Sequence, residues 1–177
     1  MNVAGAARSG RTAVVYVPCG GTAGDVNRNQ VARASVPKAL TAGVVSSASR
    51  TYDQGGRTIV RTTNSIAHPN IFGGVIKAKA INVAASAGGD RSGLRTRSTT
   101  ASIVGLTING KSQSGTAPKN TKIAIPQVGT LWLNRVIRTR SGVQVRGIDL
   151  VLSVTKNGFK RGTEIIVAAA SAGVLPQ

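Results

Sequence analysis

The side chains best placed to do chemistry are basic and come in pairs: Arg57 and Arg61, Lys77 and Lys79, Arg95 and Arg97, and Arg138 and Arg140. Spacings of two or four residues put each pair on a single face of an extended strand. Such faces oppose water or a polyanion rather than a core, and the mutual repulsion of like charges is relieved by an acidic partner. The alternative reading is a solubilising surface. The chemistry they offer is therefore charge-dominated binding of a polyanion: a nucleic-acid backbone or an anionic cell-wall glycopolymer. Only five residues are aromatic, Tyr16, Tyr52, Phe72, Trp132 and Phe159. A base-stacking platform is thus poorly supplied, and no helix-turn-helix or finger pattern is present to read sequence.

Other reactive types are scarce. The 177 residues hold one His, one Cys, four Asp and one Glu, whereas acid–base catalysis, nucleophilic triads and metal sites all draw on those residues. His68 precedes Pro69 in a turn signal with no ligand at metal spacing, so it reads as a turn residue. Cys19 has no partner within the chain and is either a free thiol or a link to another molecule. The pairs Gly20-Gly21, Gly55-Gly56 and Gly88-Gly89 open no helix and match no phosphate-loop pattern, so they read as turns. The expectation is a non-enzymatic protein with no catalytic residue, cofactor or metal.

The elements that position the basic pairs follow from composition. There are 21 Val, 13 Ile and 17 Thr against 8 Leu and 1 Met, a strand-forming inventory. Net charge is +18 and no stretch approaches the length of a membrane span. Residues 1–11, rich in Gly, Ala, Ser and Arg, read as a short flexible arm with no charged leader and apolar run of a secretory signal. Residues 12–177 read as a single domain. Within it, 12–17 (TAVVYV) is a strand, and 31–36 (VARASV) is another. Residues 41–50 and 57–67 flank a turn signal at Tyr52 to Gly56 as a hairpin. Residues 74–87 and 95–109 form a second hairpin, with Ile76, Ala78 and Ala80 on one face of the first strand and Val104, Leu106 and Ile108 on one face of the second. Strands follow at 121–125, 129–140, 143–155 and 163–170. In 143–155 the apolar phase slips between Val145 and Ile148, which predicts a bulge at Arg146-Gly147 with Ile148, Leu150, Leu152 and Val154 inward and Asp149 outward. Short strands with Gly, Pro and Asn turns and no helical period predict an all-β fold: one antiparallel β-sandwich or barrel-like domain.

The stretches 103–110 (IVGLTING), 118–134 (PKNTKIAIPQVGTLWLN), 143–155 (VQVRGIDLVLSVT) and 163–174 (TEIIVAAASAGV) resemble the C-terminal half of the actinobacterial choice-of-anchor P family. VVYVPCGG and GGVIKAKAINVAASA resemble segments of its N-terminal half. The chain departs from that pattern at Asn134-Arg135, where an acidic residue is common, and at Lys79, near another acidic position. The resemblance implies a secreted, surface-associated β-rich module with no established enzymatic activity.

These readings converge on a secreted structural protein of the cell surface. It is expected to assemble with copies of itself into a surface layer, filament or extracellular matrix and to bind polyanions through Arg57, Arg61, Lys77, Lys79, Arg95, Arg97, Arg138 and Arg140. The strand Val14, Val15, Tyr16 and Val17, set between a Gly-rich arm and Pro18, is the candidate assembly strand, docking on the sheet edge of a neighbour. The alternative is a viral or phage-like coat or a nucleic-acid-packaging protein. Coat arms, however, concentrate Arg and Lys near one terminus, and 1–11 holds only Arg8 and Arg11.

Overall fold

The computed structural model describes residues 2–3, 13, 15, 22–90, 92–113, 115 and 117–174. The early strands are β1 (Asn2–Val3), β2 (Asn27–Val31), β3 (Ala34–Val36), β4 (Leu40–Ala42), β5 (Val45–Gln54) and β6 (Arg57–Ala67). Next come β7 (Asn70–Ile71), β8 (Ile76–Lys77), β9 (Ala80–Asp90), β10 (Gly93–Val104), β11 (Thr107–Ile108) and β12 (Lys111–Ser112). The chain closes with β13 (Thr121–Ile125), β14 (Gly129–Arg138), β15 (Gly142–Leu152) and β16 (Glu164–Gly173). Every pairing is antiparallel. Among the described residues no helix is long and apolar enough to cross a membrane.

Two five-stranded sheets, β1-β16-β15-β14-β13 and β10-β9-β6-β5-β2, pack face to face, which makes the domain the all-β sandwich expected from the composition. Period-2 alternation supplies the core. Ile81, Val83, Ala85 and Ala87 of β9 meet Val145, Ile148 and Leu150 of β15 and Ile165 and Val167 of β16, all buried. The phase slip foreseen in β15 occurs at Gly147, but no extra residue is inserted: Leu133 pairs with Ile148 and Arg135 with Arg146, while Ile148 pairs with Val167 and Arg146 with Ala169. All three strands change face at the same row. Asn134 (φ +50°) and Ala168 (φ +60°) adopt the left-handed conformation there, so the register survives the slip. Gly147 marks a close approach of the two sheets, since a Cβ on it would overlap Ile81 Cγ2.

The third sheet, β12-β11-β8-β7-β4-β3, continues the second in the same strand order. Thus β2 leads to β3, β4 to β5, β6 to β7, β8 to β9 and β10 to β11, each across two residues that turn a corner. The ladder persists round the bend: Gly43 N–H donates to the Ala67 carbonyl (2.8 Å), His68 N–H to that of Lys79 (2.9 Å) and Lys79 N–H to that of Val104 (2.8 Å). His68 (φ +46°) and Gly105 (φ +61°) are left-handed at this corner. The folded-over sheet closes one end of the sandwich with Val36, Leu40, Ile71 and Ile76, and Phe72 meets Phe159 edge-on at 6.2 Å.

The corner corrects several details of the sequence reading. Residues 31–36 and 74–87 are each two strands, and Val104 faces solvent while Leu106 and Ile108 are buried, because Gly105 reverses the phase. Val154 lies beyond the end of β15 and is exposed rather than inward. Asp149 does point away from Leu150, yet it is fully buried. Of the segment read as an arm, Asn2–Val3 pairs with Ile166 and Ile165 on β16, and the remainder lies outside the described residues. Val14, Tyr16 and Val17 of the candidate assembly strand, and Cys19, also lie outside them; Val15 is half-buried.

Candidate polyanion interface

Six of the eight basic residues singled out from the sequence come together at the end of the sandwich opposite the folded corner. Arg57 opens β6 at the β5–β6 tip, Arg61 lies four residues on, and Thr58 pairs with Gly89, which sets this tip beside the β9–β10 tip carrying Arg95 and Arg97. Arg97 donates to the carbonyl oxygens of Thr139 (2.9 Å) and Arg140 (3.2 Å), which joins the β14–β15 tip with Arg138 and Arg140 to the same end. Lys77 and Lys79 lie at the corner instead, Lys79 with its stem packed over Gly105.

The six do not share one role. Arg97 is a tie between the two sheets. Arg95 Nε pairs with Asp90 Oδ2 at 2.9 Å. That hydrogen bond, a backbone donor from Ser92 and the charges of Arg95 and Arg57 hold the Asp90 carboxyl below the ordinary carboxylate range. Arg57, Arg61, Arg138 and Arg140 are exposed and have no carboxylate in ion-pair contact among the described residues. Sequence reasoning missed Arg50, which pairs directly across from Arg61 and lies 4.6 Å over the Tyr52 ring. Its place at the end of the 41–50 strand of a hairpin pattern was legible, but its register opposite Arg61 required the exact loop length. Like charges opposed on neighbouring strands repel. With Arg50, this end holds seven arginines against Asp53 and Asp90.

A second cluster was also missed. On the outer face of the first sheet, Asp149 Oδ2 accepts from Arg135 (2.6 Å) and Arg146 (2.8 Å), and Glu164 Oε1 accepts from Arg146 (2.7 Å). Arg135 also lies 5.3 Å over Trp132. Trp132 pairs with Asp149 and Arg135 with Arg146, so the cluster is a product of strand register, invisible before pairing is known. Two of the five carboxylates are thereby engaged by arginine, with no His or Cys beside them among the described residues. Among the described residues no group of three His, Cys, Asp or Glu could hold a metal ion.

Fold and site together define an all-β sandwich with a strongly basic end and an arginine-clamped buried carboxylate on one sheet. No family model, curated protein or solved structure matches the chain.

Proposed function

We propose that this chain is a non-enzymatic structural protein of the extracellular surface that self-assembles and binds polyanions through its basic end. The observation that carries the reading is the gathering of seven arginines from three hairpins at one end of the sandwich, six of them without an ion-pair partner among the described residues. Fixed positive charge on tips held by a rigid double sheet attracts a polyanion without demanding sequence or stereochemistry. Membership of the choice-of-anchor P family, drawn from the motifs, belongs to the same proposal and supplies its extracellular setting.

Self-assembly is supported by β10, a twelve-residue strand at a sheet edge. A long edge strand presents backbone donors and acceptors that a strand from a second copy can pair. Electron microscopy of the purified protein at physiological salt, with and without an acidic polymer, tests the proposal. Regular filaments or sheets are expected, and dispersed monomers under both conditions would overturn the assembly claim. Closed shells that form only around nucleic acid would instead favour a coat protein.

A further inference from the structure

The outward face of the second sheet carries a feature that adjoins the basic end through Arg50 and Arg61. One rank of side chains crosses all five strands: Arg28, Ala48, Thr63, Ala84 and Thr100, each the direct partner of the next. Two open depressions lie along it, of about 400 and 390 Å³, and they meet at Thr63. The first reaches Arg28 and the second reaches Ser102. Four inter-strand spacings make the trough roughly 19 Å long.

The walls are polar and small. Ser65 Oγ donates to Asn82 Oδ1 at 2.6 Å, while the hydroxyls of Thr63, Thr100 and Ser102 make no hydrogen bond within the protein among the described residues. Ala48 and Ala84 leave low apolar floor between them. Arg50 and Arg61 stand as a pair on the strand rows next to this rank, and Arg28 stands at its end. Among the described residues no Asp or Glu lies on the strand rows between those arginines and Ser102.

We infer that this trough binds an extended acidic polysaccharide, which rests on the polyanion reading above and gives it a substrate class and a place. Free hydroxyls match the hydroxyls of a sugar chain, the alanine floor accepts the C–H faces of its rings, and Arg28, Arg50 and Arg61 meet its carboxylate or sulfate groups. The occupant is not a single-stranded nucleic acid, because among the described residues no aromatic side chain lines the trough for a base to stack on. It is not duplex DNA, because a sunken rank of small side chains offers nothing to enter a groove.

The test measures binding at low salt of three probes: a galacturonic-acid oligosaccharide, a neutral xylose oligosaccharide and a short DNA duplex. It uses the full chain, Ala84→Phe, and the double variant Arg138→Ser/Arg140→Ser. Ala84→Phe fills the middle of the trough without changing charge, and Thr100→Phe on the edge strand replaces it if the melting curve shows a folding defect. The inference expects Ala84→Phe to weaken the acidic oligosaccharide by about tenfold or more. The double variant should lose far less for that probe, and the neutral probe should bind poorly throughout. Unchanged affinity in both trough variants overturns the inference, and if binding is then lost in the double variant the basic end alone carries the function. An equal loss of duplex binding in Ala84→Phe overturns it in favour of a nucleic-acid trough. Failure of the full chain to retain any acidic probe overturns both readings.

Discussion

Replacing Asp149 by Ser should destabilise the fold strongly, although Asp149 points away from the hydrophobic core. Its carboxylate is fully buried, and one oxygen takes charge-assisted hydrogen bonds from Arg135 at 2.6 Å and Arg146 at 2.8 Å. Hydrogen bonds to charged groups contribute about 1.5 to 3 kcal/mol each, so losing two predicts roughly 3 to 6 kcal/mol. The low end applies. Arg146 keeps Glu164 at 2.7 Å, Arg135 is 31% exposed and can rehydrate, and the other Asp149 oxygen, buried with no partner, already costs stability that the substitution relieves. A loss of about 3 kcal/mol in a domain of this size lowers Tm by roughly 6 to 12 °C. The assay is paired thermal and urea denaturation of Asp149→Ser beside the exposed Asp25→Ser, which should stay within about 0.5 kcal/mol of the parent. In an Arg135→Met/Arg146→Met background, where no buried cation is stranded, Asp149→Ser should cost much less. Equal melting of Asp149→Ser and Asp25→Ser, or the same loss in both backgrounds, would refute the reasoning.

Leu150→Ala, at a fully buried site, should cost on the order of 2 to 5 kcal/mol, whereas Val154→Ala beyond the strand end should change the urea midpoint little. Gly147→Ala should destabilise by about 1 to 3 kcal/mol, because its Cβ overlaps Ile81 of the facing sheet; a neutral result would show that the sheets can part there. Asp90, held below the ordinary carboxylate range by Arg95, has a depressed folded-state pKa. Its contribution is thus present above the ordinary carboxylate pKa and lost as pH falls through the lowered value, so the difference in Tm between the parent and Asp90→Asn should shrink on acidification.

The strand content and both long hairpins of the second sheet were legible because period-2 alternation and Gly-rich turns are local signals. Ile148, Leu150 and Leu152 announced their shared inward face in the same way. The corner was not legible, since Val104-Gly105-Leu106 reads as unbroken alternation until the left-handed Gly105 reverses the phase, and Ala78-Lys79-Ala80 carries no turn residue to mark the break between β8 and β9. The Asp149 network was hidden for a different reason: its arginines meet the carboxylate across strands, and the sequence places them three and fourteen residues away with no sign of register. The basic pairs were visible on single strands. Their convergence depended on which hairpin tips share an end, and that is also why Lys77 and Lys79 fall apart from the other six.

The most direct test of the polyanion claim is the salt dependence of binding to a labelled DNA duplex, used as a uniform line of charge. With Arg57, Arg61, Arg138 and Arg140 each neutralising one phosphate, log K should fall against log salt with a slope of about −3.6, a loss of about 150-fold between 50 and 200 mM. Duplexes of unrelated sequence should give the same line. Binding that persists into molar salt, or that favours one sequence strongly, would contradict a surface that acts through charge alone.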